Sequence, residues 1–141
     1  MTKKNIFIIS ISSDIGANLA KYWLSKGHSV SGTYRKKSNL TKDLEALGIN
    51  LYHFDLKSSK SCLKFLGQIS NNYKWDALII GAGNLNPVGP FVKTNFTLWE
   101  KSIRVNFVGQ LEILQKMIPL ANTKSNPSPV CLFFAGGGTN G

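Results

Sequence analysis

Long apolar runs are missing from this chain. None approaches the roughly 20 residues needed to cross a bilayer. The apolar stretch after Lys3 and Lys4 is broken by Ser10, Ser12, Ser13 and Asp14, which also argues against a secretory signal peptide. Acidic residues are few: 7 against 17 Lys and Arg in 141 residues, for a net charge of +10. Such an excess suits nucleic acid, an acidic surface or an anionic small ligand. The basic residues are nevertheless spread along the chain, and only Arg35-Lys36-Lys37 is dense. No zinc-ligand spacing, basic heptad helix or aromatic RNA-binding signature accompanies them. Neither nucleic acid nor a membrane is therefore expected as a partner, and no metal site is expected. Cysteine is scarce as well. Cys62 and Cys131 both sit among apolar residues and read as buried reduced thiols, consistent with a cytoplasmic protein.

What is present is a regular alternation. A β-branched and aromatic run, Ile6, Phe7, Ile8, Ile9 and Ile11, passes directly into small polar residues. A helical pattern through Ile15, Leu19 and Trp23 follows. This reads as a buried parallel strand, a tight turn and a helix start, the opening unit of a dinucleotide-binding fold. The unpartnered N–H groups of such a helix start suit an anion. Glycine, usual in that turn, is largely absent from it.

The first helix is expected over residues 14–26, stopping at Gly27, and a strand over 29–34. Ser38 caps a second helix through Leu40, Leu44 and Leu47, ending at Gly48. A third strand covers 50–54, and Leu63, Leu66 and Ile69 mark a helix over 59–70. A fourth strand covers 77–80. Thr97, as N-cap, and Glu100 form a capping box opening a long helix whose apolar face is Ile103, Phe107, Leu111, Leu114 and Ile118. Pro119 ends or kinks it. A fifth strand spans 130–134. Strict alternation with right-handed crossovers predicts one α/β domain over 1–141, a Rossmann-type doubly wound parallel sheet of order 3-2-1-4-5. Its ligand crevice falls between strands one and four.

Several groups converge on that crevice. Ser10-Ile11-Ser12-Ser13-Asp14-Ile15-Gly16 is the candidate phosphate turn: the serines offer hydroxyl donors and Gly16 lets the helix pack closely. Asp14 either repels pyrophosphate or serves simply as the helix cap. Tyr34 and Arg35 follow strand two, where an acidic residue would bind ribose hydroxyls and an arginine suits phosphate. Asp55, followed by Leu56, ends strand three and either accepts from an adenine amino group or begins a turn. Gly81, Ala82 and Gly83 let backbone approach a ligand. Asn106 lies inside the long helix, where Asn is a mediocre former; it is either a surface residue or inward-facing with a hydrogen-bonding reason.

Together these positions resemble the short-chain dehydrogenase/reductase family. Its phosphate motif, Thr-Gly-x-x-x-Gly-Ile-Gly, aligns with Ile9 through Gly16, keeping Ile15 and Gly16 while Ser10 and Asp14 replace glycines. Its Asn-Asn-Ala-Gly becomes Ile80-Gly81-Ala82-Gly83, its Asp-Leu/Val matches Asp55-Leu56, and Val105-Asn106-Phe107-Val108-Gly109 matches the segment with the catalytic Asn. The resemblance implies an oxidoreductase moving hydride between carbonyl and alcohol on a small-molecule substrate. NADP(H) is favoured over NAD(H), because Tyr34 and Arg35 stand where NAD-dependent members carry Asp. It also implies Asn106 as a catalytic residue and a homo-oligomeric full-length protein. The family's catalytic Ser position falls on Ala135-Gly136-Gly137, a Gly-rich variant, and its Tyr-x-x-x-Lys pair falls beyond Gly141. The chain is therefore expected to be the N-terminal part of a longer reductase, inactive by itself and poorly soluble because strand five is uncovered. The alternative is a non-catalytic nucleotide-binding or regulatory module.

Overall fold

In the computed structural model, which describes residues 2–133, the apolar opening run becomes strand β1 (Asn5–Ile9). It lies at the centre of a parallel sheet of order β3-β2-β1-β4-β5. The other strands are β2 (Ser29–Tyr34), β3 (Asn50–His53), β4 (Ala77–Ile80) and β5 (Val130–Phe133). Helices α1 (Asp14–Ser25), α2 (Asn39–Ala46) and α3 (Ser59–Leu66) connect the first four strands. The fourth crossover holds α4 (Phe96–Ile103), a π-helical turn (Arg104–Val108) and α5 (Gly109–Met117). Residues 134–141, including the Gly-rich variant of the catalytic Ser position, lie outside the described residues.

The β1 run is continuous rather than alternating because both sheet faces are covered. Ile6 and Ile8 point to one face, packing with Ile11, Ala17, Ala20, Val30, Leu44 and Ile79. Phe7 and Ile9 point to the other, packing with Phe54, Phe65, Trp75, Leu78, Ile80, Val105, Ile113 and Met117. Gly27 and Gly48 stop α1 and α2 at φ +83° and +82°, backbone that L side chains rarely adopt. Ser38 caps α2, its Oγ accepting from the Thr41 N–H while Thr41 Oγ1 accepts from the Ser38 N–H.

Five expectations change. The cap of α1 is Ser13, whose Oγ accepts from the Gly16 N–H at 3.0 Å; Asp14 occupies the first helical position instead. Ile15, expected on the packed stripe of α1, is 59% exposed, and Gly16, Ala17 and Ala20 form the buried face. Small residues there let the helix axis approach the sheet. On α3, Leu63 is 63% exposed, whereas Cys62 and Phe65 are buried, and the helix stops at Leu66. The cap of α4 is Asn95, not Thr97: Asn95 Oδ1 accepts from the Thr97 N–H at 2.9 Å.

The largest change is the face of the long crossover. The stripe of Ile103, Phe107, Leu111 and Ile118 is exposed, with Phe107 at 61%. The buried stripe is Val105, Gly109, Ile113 and Met117. Gly109 is the reason: a Cβ there would lie 2.7 Å from the Leu56 carbonyl oxygen and 2.8 Å from that of Arg104. Closeness of helix backbone to the loop after β3 selects the stripe containing the glycine over the more apolar one. The helix also changes register, with the Gly109 N–H donating back to the Arg104 carbonyl in a π turn. Arg104 and Glu112 pair across that turn, and Ser59 of α3 accepts from Arg104 at 2.9 Å. No helix among the described residues is long and apolar enough to cross a membrane.

Candidate functional site

Because sheet order reverses between β1 and β4, the loops at the carboxyl ends of these strands part and leave a crevice. There a cavity of about 370 Å³ is lined by Ser10, Ser12, Ser13, Tyr34, Arg35, Asp55, Leu56, Ala82 and Gly83, with Lys36 and Lys57. The structure thus gathers nine of the residues expected at the site from four separate loops. Asp14, Ile15, Gly16, Gly81 and Asn106 do not line it.

Ser10 turns the chain at the end of β1 with φ +66°, the one non-glycine residue at positive φ among the described residues. Its N–H donates to Thr33 Oγ1 at 3.0 Å, and its carbonyl accepts from the Ser13 N–H and from Ser13 Oγ. Gly16 closes the turn from the helix side: a Cβ there would lie 2.6 Å from the Ser10 oxygen and 2.9 Å from the Ile11 Cα. The turn aims the start of α1 at the cavity through Ser12 and Ser13, where helix N–H groups lack intrahelical partners. Asp14 is exposed and outside the lining.

On the β2 side, Tyr34 pairs with His53 across the strand ends, its ring edge-on at 5.7 Å. Arg35, Lys36 and Ser38 continue the wall. Asp55 does begin a turn, its Oδ1 accepting from the Lys57 N–H at 3.0 Å while its own N–H donates to Ser61 Oγ at 2.9 Å. It also lines the cavity. Lys36 belongs to the basic run Arg35-Lys36-Lys37 legible in the sequence, whereas Lys57 was not singled out from it. For Lys57 the available signal was its place just after Asp55 and Leu56 at a strand end.

Gly81 has room for a side chain, its nearest outside atom to a built Cβ being the Ile9 oxygen at 3.6 Å. The loop after β4 is held from the helix instead. Asn106 Oδ1 accepts from the Asn84 N–H at 2.7 Å, and its Nδ2 donates to the Asn84 carbonyl at 2.7 Å and to Ser102 Oγ at 3.1 Å. Gln110 Nε2 donates to the Ala82 carbonyl at 2.6 Å. Asn106 thus has the hydrogen-bonding reason a mid-helix Asn requires, from an exposed position in the π turn.

The tyrosines do not converge on Asn106. Tyr22 and Lys26 stand four apart near the C-terminal end of α1, with the Lys26 ammonium 5.5 Å from the Tyr22 ring centre. That end of α1 leads into the start of β2, at the opposite end of the strands from the crevice. Tyr73 packs edge-on against Phe7 in the core, and burial pushes its hydroxyl pKa up, away from what a proton donor near neutral pH needs. Burial likewise pushes the Cys62 and Cys131 thiols up, keeping them protonated and poorly nucleophilic.

Fold and crevice define a doubly wound α/β protein of the Rossmann type. A family model for short chain dehydrogenases matches residues 4–128, and the chain belongs to that family. No curated protein matches it by sequence. Solved structures of the same fold include a serine dehydrogenase from Escherichia coli, 17% identical, with a TM-score of 0.76 over 92% of this chain and 60% of that one. A Burkholderia multivorans protein assigned to the short-chain dehydrogenase/reductases, with bound NADP, is 16% identical, with a TM-score of 0.81 over 95% of this chain and 59% of that one. An NADH-dependent reductase complexed with NAD is 18% identical, with a TM-score of 0.79 over 94% of this chain and 59% of that one. The chain spans less than two thirds of each of these structures. At such identities the likeness carries the fold, that of the family's oxidoreductases.

Proposed function

We propose that residues 1–141 form a single NAD(P)-binding domain, the cofactor-holding part of an NADP(H)-dependent reductase that moves hydride between a carbonyl and an alcohol. The observation carrying this reading is the pairing, in one cavity, of the α1 N-terminus with Arg35 and Lys36 at the end of β2. The cavity fits such a group: its volume of about 370 Å³ lies in the range of small-molecule sites, and helix N–H groups and cations complement phosphates. Ser12, Ser13 and the first turn of α1 would hold the pyrophosphate, Arg35 and Lys36 a 2′-phosphate, and Asp55 with Leu56 the adenine. Ala82 and Gly83 would face the remainder. The dinucleotide, when bound, supplies the hydride chemistry. Asn106 serves that chemistry by fixing the backbone at Asn84, while Gln110 holds Ala82. The substrate is a small molecule, and the working protein is a homo-oligomer in the cytoplasm.

Titrating the protein with NADPH and NADH tests the cofactor reading. Arg35→Ala is expected to weaken NADPH about tenfold, the value of one charge-assisted contact of about 1.5 kcal/mol, and to leave NADH nearly unchanged. Equal losses for both, or none for either, would overturn the assignment of Arg35 to a 2′-phosphate. Ser10 at positive φ in place of a glycine favours a second reading, a nucleotide-binding regulatory module without catalysis. Tight NADPH binding by the full-length protein with no turnover across a panel of aldehydes and ketones would select it.

A further inference from the structure

A second cavity, of about 730 Å³, opens between the loop after β4 and the start of α4. Lys57, Lys93 and Lys101 line it, and no carboxylate does. The three ammonium groups come from three different segments: the turn after β3, the 3-10 turn Phe91–Lys93, and the last turn of α4. Among the described residues none of them enters a salt bridge or a side-chain hydrogen bond; the ion pair found there is Arg104 with Glu112. Like charges gathered around one concavity repel each other and concentrate anions in it.

The neutral polar lining has the same polarity. Asn84 Oδ1 is taken by the Asn86 N–H at 3.0 Å, and Asn95 Oδ1 by the Thr97 N–H at 2.9 Å. What these amides have left to offer a ligand is chiefly N–H donors. The Thr94 hydroxyl gives its proton to the Pro90 carbonyl. Pro87, Val88 and Leu98 supply apolar wall, more than a bare inorganic ion would use. The cavity adjoins the first one: Lys57 lines both, and Asn84 follows Gly83 directly.

We propose that this second cavity binds an organic anion, a carboxylate or phosphate ester with a compact apolar body. Resting on the reading under Proposed function, this anion is the handle by which the substrate is held beside the cofactor. Lysine suits such a group as a mobile point charge, and the clamp of Asn106 on Asn84 keeps the shared wall in place.

The test uses the purified protein at low ionic strength, titrated calorimetrically with 4-formylbenzoate, phenyl phosphate, benzyl alcohol and inorganic phosphate. One or both aromatic anions should bind at least about tenfold more tightly than benzyl alcohol and inorganic phosphate; which of them binds distinguishes carboxylate from phosphate ester. Lys93→Gln with Lys101→Gln should weaken that binding about tenfold or more without changing NADPH affinity, and Lys93→Arg with Lys101→Arg should restore much of it. Both lysines are exposed, and circular dichroism and a thermal melt verify that the variants fold. Benzyl alcohol or inorganic phosphate binding as well as the aromatic anions would overturn the proposal. So would unchanged affinity in the glutamine variant, or loss on Arg35→Ala instead. Anion binding without NADPH binding would leave this site standing and remove the cofactor reading.

Discussion

The side-chain amide of Asn106 pairs with the backbone of Asn84 as one strand residue pairs with another, accepting from its N–H and donating to its carbonyl, each at 2.7 Å. One helical side chain thereby sets the course of the loop between the two cavities. Asn106 can do this because it lies in the π turn, where the helix shifts register, a feature that recurs at functional sites.

Asn106→Ala removes both bonds and leaves the Asn84 groups to water. A stability loss of about 1–2 kcal/mol is expected. Amide exchange at Asn84 should speed up far more than exchange at Ile79 or Ile80, which are held by β1 and β5. Uniform acceleration across β4 would refute the local clamp.

Ser10→Gly should stabilise the protein. A non-glycine residue in left-handed backbone costs about 1–2 kcal/mol, and the Ser10 side chain makes no hydrogen bond among the described residues to be lost. Glycine's extra freedom in the unfolded chain offsets part of this, leaving a gain of roughly 0.5–1 kcal/mol. Urea denaturation measures it, and a loss would show that the hydroxyl is needed.

Gly16→Ala should do the reverse. The added carbon would meet backbone atoms at 2.6 and 2.9 Å, which cannot move without tilting α1 or opening the turn. Overpacking of this kind costs roughly 1–3 kcal/mol. NADPH affinity should fall as well, because the helix start is displaced from the cavity.

Asp14→Asn should leave NADPH affinity within about a factor of two, since the carboxylate is exposed and outside the cavity lining and solvent screens it. A large gain in affinity would mean that Asp14 repels the pyrophosphate after all.

Asp76 ties the N-terminal ends of β1, β4 and β5 together. Its Oδ2 accepts from the Asn5 N–H at 2.7 Å, its Oδ1 accepts from Asn122 at 2.8 Å, and its carbonyl accepts from the Val130 N–H at 3.0 Å. Burial works against ionisation there, but the Asn5 N–H, with Ser125, Asn122 and the Lys4 ammonium, outweighs it and holds the carboxyl below the usual carboxylate range. Its folded value therefore lies below the unfolded one, near 3.9. The stabilisation is present above that pH and is lost as pH falls through the folded value. Thermal melts of Asp76→Asn should lie below the parent at pH 7, and the gap should close below about pH 4.

Much of the fold is legible in the sequence. Strands β1 and β4 appear at the expected residues because burial of both sheet faces leaves an unbroken apolar signature, and β2 lies at its expected residues between the Gly27 stop and the basic turn at Arg35. Gly27, Gly48 and Ser38 end or begin helices through local backbone geometry alone. The crevice residues Ser10, Ser12, Ser13, Tyr34, Arg35 and Asp55 could be named because each ends a strand or starts a helix, positions that the alternation itself supplies.

The burial of the long crossover was not legible. Two i, i+4 stripes compete on it, and hydropathy favours Ile103-Phe107-Leu111 over Val105-Gly109-Ile113. A glycine carries no hydrophobic signal, yet only there can helix backbone press against the Leu56 carbonyl. The sequence by itself determined local states: strand against helix, cap, stop, and the parallel order that alternation and handedness impose. The tertiary structure alone decided which helix face turns inward, that Ser10 bends at positive φ, that Asn106 grips Asn84, and that Lys57, Lys93 and Lys101 share one cavity. Each of these depends on contacts between segments far apart in the chain, where close approach of backbone, rather than the character of any single residue, sets the outcome.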